Sequence, residues 1–389
     1  MDVKSPGSPA WRLSAWYFAY FAFVGAYGPY FGLYLQSLGI DAFGIGVLLS
    51  LMQLSRLLLP LFWRWAGHRR DGRKAVVVRW SVGLGAAVFL ALVWLRDFWA
   101  LFAAMALLAF FLSAAMPMVE SLTLDHLRHQ AGRYGHIRLW GSVGYIVAVQ
   151  AIGATLEASA LSLLPWLCLG VLLICWGVSS TLEESYSGGD AVPAMQWRET
   201  FSDPRVLALL AAGFFMVLAH GPLYVFYSIH LVDHGYGKGA VGGLWALGVV
   251  VEILVFLFMP RLMSAFSLGR LMLFSFAAAV VRFLLIGWLV DQPVVVLFAQ
   301  TLHGATFGVH HAATVAALNR WVAPRHHAAA MALYGAVAYG AGGLLGGLVS
   351  GALWTPLGAG VVFSLASVAA LLGGMLVLGV GGLRAGGKL

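Results

Sequence analysis

Charged side chains are scarce in this sequence: 23 basic and 15 acidic residues in 389, or 10% of the chain, against about a quarter in soluble globular proteins. A chain so poor in charge cannot cover a water-facing surface, which excludes a soluble enzyme, a nucleic-acid-binding protein and a disordered chain. The net charge of +8 therefore needs an explanation other than nucleic acid. Cysteine is scarce too. Cys168 and Cys175 stand two helical turns apart in one apolar run, so they pack rather than ligate or cross-link. No phosphate-binding loop, metal motif or nucleophile elbow occurs. Ser81-Val82-Gly83-Leu84-Gly85 has the glycines of a dinucleotide loop, but it lies inside an apolar run with no strand before it. No cofactor is expected, nor ATP-driven work by this chain alone.

Apolar residues make up 61% of the chain. Runs long enough to cross about 30 Å of hydrocarbon as helices fall near 11–37, 43–66, 75–95, 98–127, 136–157, 160–179, 204–231, 239–260, 269–290, 293–319, 327–352 and 357–381. The first run is too long for a cleavable signal peptide and has no small-residue cleavage pattern. When the gaps are numbered alternately, 19 of the 23 basic residues fall on one side and only Arg96 and Lys238 on the other. Arg56 and Arg282 lie within spans. This bias predicts that both termini face the cytoplasm. The expected fold class is thus an all-α membrane protein of twelve transmembrane helices in two six-helix bundles, in the cytoplasmic (inner) membrane. The lipid bilayer is its surroundings, nucleic acid is not a partner, and a monomer is expected.

The longest polar stretch, 180–203, reads as a cytoplasmic linker between an N-terminal bundle, 1–179, and a C-terminal bundle, 204–389. The halves echo each other. Gly28-Pro29 and Tyr34 match Gly221-Pro222 and Tyr227, Gly72-Arg73 matches Gly269-Arg270, and Trp140-Gly141-Ser142-Val143-Gly144-Tyr145 matches Tyr334-Gly335-Ala336-Val337-Ala338-Tyr339. Near-constant offsets of half the chain indicate a parallel repeat, an architecture of secondary transporters with a substrate site expected between the bundles. Gly343, Gly347 and Gly351, and in the other half Gly141, Gly144 and Gly153, form small-residue faces that serve close helix packing.

Ionisable residues inside spans mark function by default. The acids are Glu120 and Glu252; the bases are Arg56, Arg138 and Arg282; the histidines are His220, His303, His310 and His311. Glu120 and Arg138 are equidistant from position 129, and Glu252 and Arg282 from position 267, so each acid has a base at its own depth on the next span. Mutual pairing would relieve desolvation, and purely structural ion pairs are the competing explanation. Arg56, carried forward by the repeat offset of 196, falls on Glu252. Tyr224 follows His220, Trp245 precedes Glu252 by two turns and Tyr145 follows Arg138 by two turns, which offers aromatic walls for a ring-bearing solute. The intramembrane arginines outnumber the acids, which favours an anion.

The stretches Met116-Pro117-Met118-Val119-Glu120, Tyr134 to Ser142, Leu244-Trp245-Ala246-Leu247-Gly248-Val249-Val250-Val251-Glu252, Val281-Arg282 and Leu302-His303-Gly304-Ala305-Thr306-Phe307 complete a resemblance. The chain resembles the major facilitator superfamily, within it the 3-phenylpropionate permease group, and more distantly lactose permease-like proton symporters. The resemblance implies proton-driven uptake of a small-molecule substrate by alternating access. It implies that Glu120, Arg138 and Tyr145 hold substrate; the intramembrane inventory itself adds Arg56, His220, Tyr224 and Trp245 as further binding candidates. It implies that Glu252, Arg282 and His303 belong to the proton network. The acid that such symporters carry three residues after that histidine is Thr306 here. The cytoplasmic gating signature after the second span is reduced to Gly72-Arg73-Lys74. A sugar or nucleoside symporter, an exporter, and a transport-dead sensor remain the alternatives, although a 180–203 linker leaves no room for a signalling domain.

Overall fold

The computed structural model describes residues 10–68, 73–127, 131–184 and 203–379, and among them side chains are described outside 59–68 and Ala131. Every regular element among these residues is helical. Eight segments are long and apolar enough to cross a membrane: Lys74–Leu92, Phe98–His126, Tyr134–Glu157, Leu161–Ser179, Pro204–Asp233, Lys238–Ala265, Leu268–Trp288 and Pro324–Gly379. Three further expected spans are helical but interrupted or short. The first breaks into α1 (Ala10–Tyr27) and α2 (Phe31–Ser37) at Gly28-Pro29. The second is α3 (Ala42–His68), apolar over Ala42–Leu58, the part whose side chains are described. The tenth is divided by a π-helical stretch. The last two run together, with a break at Gly358, two residues after Pro356, where φ is 77°.

The chain divides into two compact units. One comprises Met1–Leu38 with Leu58–Asp190, and the other Gly39–Leu57 with Ala191–Leu389. In the first unit, α1 packs along α6 (Tyr134–Glu157), and α4 (Lys74–Leu92) packs along α5 (Phe98–His126). The α1–α6 approach is close because two glycines allow it. A Cβ on Gly25 would meet the Tyr145 carbonyl at 2.7 Å, and one on Gly144 would collide with the Phe18 carbonyl. Backbones this close gain dispersion contacts that a lipid-facing side chain would forfeit.

In the second unit, α8 (Pro204–Ala219) and α9 (Gly221–Asp233) are joined at His220. The chain continues as α10 (Lys238–Ala265), α11 (Leu268–Trp288), α12 (Pro293–Thr301), a π-helical turn (Gly304–Val309) and α13 (His310–Trp321). Then come α14 (His327–Tyr334), a second π-helical run (Gly335–Gly342) and α15 (Gly343–Gly379). The glycine face of α15 packs on the first half of α3. A Cβ on Gly347 would strike Ser50, and Cβ atoms on Gly351 and Gly343 would meet Ala42 O at 2.8 Å and Gln53 Cγ at 3.0 Å.

The repeat is visible in local structure. Gly28-Pro29 and Gly221-Pro222 both sit at helix breaks, where proline cannot supply an N–H to the preceding helix. Gly39 and Gly235, a nearly equal 196 residues apart, both adopt positive φ, 81° and 83°, a conformation that glycine takes without steric cost.

Candidate functional site

Each unit carries a polar cluster within its helices. In the first unit, Arg138 projects from α6 and lies over two rings of α1, with its guanidinium carbon 4.2 Å from the centroid of Phe21 and 5.3 Å from that of Tyr17. Phe21 and Tyr17 are one helical turn apart, so their rings share a face. Gly141, one turn on from Arg138, supplies the clearance: a Cβ there would stand 2.8 Å from Phe21 and 2.9 Å from Arg138 Nη1. Glu120 on α5 is half-buried within electrostatic reach of Arg138, but the two form no direct ion pair among the described residues. The equal depth expected of them thus gives neighbourhood rather than contact, because depth does not fix rotation about the helix axis, and Arg138 lies over the aromatic rings of α1. Tyr134 stands in electrostatic reach of both. Tyr145 is half-buried beside Gly25 on the same α6.

In the second unit, Arg282 of α11 is wholly buried. Nη1 donates to His303 Nδ1 at 3.1 Å and to the Thr306 hydroxyl at 3.0 Å, and Nη2 donates to Gln300 Oε1 at 3.1 Å. Gln300, His303 and Thr306 are spaced by three, which puts all three on one face as α12 gives way to the π-helical turn. His220 closes the cluster. Its Nδ1 donates to the Met216 carbonyl at 2.7 Å, which leaves Nε2 as the acceptor facing Thr306 at 3.3 Å and Arg282 at 3.5 Å.

The same logic assigns His303. Nδ1 accepts from Arg282, so the ring proton sits on Nε2, and Nε2 faces Glu252 Oε2 at 3.7 Å. Arg282 and Glu252, expected at one level, are thus linked through an imidazole. Glycines make room for this: a Cβ on Gly248 would meet Gln300 Nε2 at 2.9 Å and His303 Cδ2 at 3.2 Å. A Cβ on Gly304 would meet Val251 Cγ1 at 2.7 Å. π-helical turns of this kind cluster at functional sites because they re-aim side chains.

Beside the cluster stands an aromatic wall. His220 stacks on Tyr224 at 5.8 Å, Tyr224 on Trp245 at 6.4 Å, and Trp245 Nε1 donates to Ser228 Oγ at 3.0 Å. Arg56 is exposed on α3, within electrostatic reach of Tyr224 and Tyr339, and no carboxylate pairs with it among the described residues. Arg73 is exposed and caps the start of α4, whereas Gly72 lies outside the described residues.

The sequence alone does not single out Tyr17 and Phe21, and it marks Thr306 only as the place of a missing acid. The i, i+4 aromatic pair and the Gln-x-x-His-x-x-Thr spacing were the available signals.

A sequence profile of the MFS_1 like family matches residues 10–365. The chain belongs to that family. It is a major facilitator superfamily transporter and not an enzyme. The Escherichia coli (strain K12) protein named "Probable 3-phenylpropionic acid transporter" is 28% identical over 379 residues, covering 92% of this chain and 94% of that one. "Maltose permease" of Geobacillus stearothermophilus is 26% identical over 368 residues, covering 93% of this chain and 92% of that one. The crystal structure of the nucleoside transporter NupG matches with a TM-score of 0.81 at 16% identity, over 97% of this chain and 99% of that one. At that identity it speaks for the fold of this transporter alone.

Proposed function

We propose that this transporter is a proton-coupled symporter of a small organic solute, an aromatic or other monocarboxylate, working by alternating access with twelve spans in the inner membrane, as a monomer with both termini cytoplasmic. The observation that carries the proposal is the Arg282–His303–Glu252 chain, in which a buried, permanent cation fixes the tautomer of an imidazole that faces a carboxylate. Such a chain can hold a proton on Glu252 or release it as Arg282 moves relative to His303, and a histidine is suited to passing it on. The likeness to a protein named for 3-phenylpropionic acid supports the substrate class.

In this reading Arg138 presents its N–H edge to the substrate carboxylate while Phe21 and Tyr17 hold its face. Arginine recognises carboxylates through two parallel hydrogen bonds. Glu120 orients Arg138 and Tyr145 stacks on the substrate ring. Within the second unit, His220, Tyr224 and Trp245 are further binding candidates, and Arg56 adds positive potential beside Tyr224. Gly72 and Arg73 serve gating. A sugar is the second reading, supported by the maltose permease relative and by a Glu120 that makes no direct ion pair among the described residues and so keeps its oxygens for hydroxyl groups. Uptake into proteoliposomes under an imposed pH difference, comparing 3-phenylpropionate, maltose and a nucleoside, tests both. Accumulation of the acid alone supports the first reading, and accumulation of maltose alone the second.

A further inference from the structure

Helix α13 carries buried polar groups that the Glu252–His303 centre does not use. His310 stands where the π-helical turn passes into α13; it is 3% exposed, and neither ring nitrogen has a hydrogen-bond partner. One turn on, the Thr314 hydroxyl is wholly buried and unpartnered. Tyr334, 1% exposed, brings its hydroxyl towards Tyr339 and Thr314 without closing a hydrogen bond of ordinary geometry to either. Two turns before Tyr334, buried His326 accepts from Arg325 Nε at 3.1 Å on Nε2, and its Nδ1 has no partner.

An unpaired buried polar atom costs free energy comparable to a lost hydrogen bond, and native interiors keep such atoms to a few per hundred residues. Here they follow one another along two packed helices, α13 and α14, from the turn after Thr306 to the connector Pro324–His326. The file is walled by the ring edge of Phe276, 5.2 Å from His310 between centroids, and by Gly213, where a Cβ would fall 2.6 Å from Tyr334 Cε2. His311 and His220 are titratable neighbours in electrostatic reach of His310, and Nδ1 of His311 meets the Tyr339 hydroxyl at 3.3 Å.

We propose that His310, Thr314, Tyr334 and His326 form a water-bridged proton path from the Glu252–His303 centre to the Arg325 end of the second unit, with His310 as the carrier. The proposal rests on the proton-coupled reading and adds the route. Buried waters bridge polar groups that have no protein partner. An imidazole takes a proton on one nitrogen and yields one from the other, so each transfer leaves His310 neutral and the proton one step further on. Thr314 and Tyr334 position the bridging water.

The test is uptake into proteoliposomes by His310→Phe, Thr314→Val and Tyr334→Phe, with substrate counterflow and thermal stability measured on the same samples. Counterflow needs no net proton movement. Removing an unpaired buried hydroxyl in a near-isosteric exchange leaves the fold as stable or more so. The path predicts that pH-driven accumulation slows about a hundredfold in His310→Phe, as for loss of a proton-transferring group, and measurably in both hydroxyl variants, while counterflow stays at the wild-type rate. Wild-type accumulation in His310→Phe overturns it. If that variant does not fold, wild-type accumulation in both Thr314→Val and Tyr334→Phe overturns it. An absence of pH-driven accumulation in the wild type defeats the coupled reading and the path together. Coupling that is lost in Glu252→Gln but intact in all three variants defeats the path alone.

Discussion

Arg282 donates to Nδ1 of His303 at 3.1 Å, and that bond decides which nitrogen of His303 faces Glu252. A guanidinium cannot accept a hydrogen bond, so the imidazole nitrogen beside it must carry a lone pair, and the proton is directed to the carboxylate side. Arg282 thereby acts on Glu252 through the ring between them.

Replacing Arg282 should therefore disturb coupling before it disturbs binding. Arg282→Gln keeps a donor for His303 and removes the charge; accumulation driven by a pH difference should fall while counterflow persists. Loss of both together, with substrate affinity gone, would make Arg282 a binding residue instead.

Gly248 tests the same geometry from α10. A methyl group there meets Gln300 and His303 within 3.2 Å, so Gly248→Ala should push His303 off its bond to Arg282. Coupled uptake should drop in a protein that still folds, and Gly239→Ala, which meets nothing within 4 Å, should behave as wild type.

Arg138→Ala should lower substrate affinity by about a hundredfold, the scale of one or two charge-assisted hydrogen bonds, and leave a folded protein. Calorimetry with 3-phenylpropionate reads this directly. Wild-type affinity in Arg138→Ala would remove Arg138 from the site. If the solute is an anion, Arg56→Gln should weaken affinity as well.

Gly144→Val should destabilise the first unit by about 1–3 kcal/mol, the cost of overpacking a tight contact, because the added carbon collides with the Phe18 carbonyl. Thermal unfolding in detergent checks it, with Gly170→Val, in open space, as the control.

Topology is testable by labelling single cysteines. Residues 67–74, 128–135 and 180–203 should be protected from an impermeant reagent added outside, and 231–238 should react. Reaction of the 180–203 segment from outside would contradict the twelve-span arrangement.

The sequence made the helical membrane class and the half-chain repeat legible because both rest on patterns spread over many residues: apolar runs, alternating basic gaps, and paired motifs such as Gly28-Pro29 and Gly221-Pro222. The polar clusters were legible as an inventory but not as contacts. Equal distance from a turn placed Arg138 level with Glu120, yet Arg138 lies over the Phe21 ring, since depth says nothing of rotation about the helix axis. Likewise nothing in the hairpin arithmetic shows that His303 stands between Arg282 and Glu252, because His303 lies on a different helix and is aimed by a π-helical turn.

The central claim is that the proton binds at the Glu252–His303 junction. The most direct test is uptake of 3-phenylpropionate by proteoliposomes containing Glu252→Gln, with a pH difference imposed across the membrane. Proton binding at that junction predicts no accumulation above equilibration together with counterflow at the wild-type rate. Accumulation against the gradient in Glu252→Gln would contradict it.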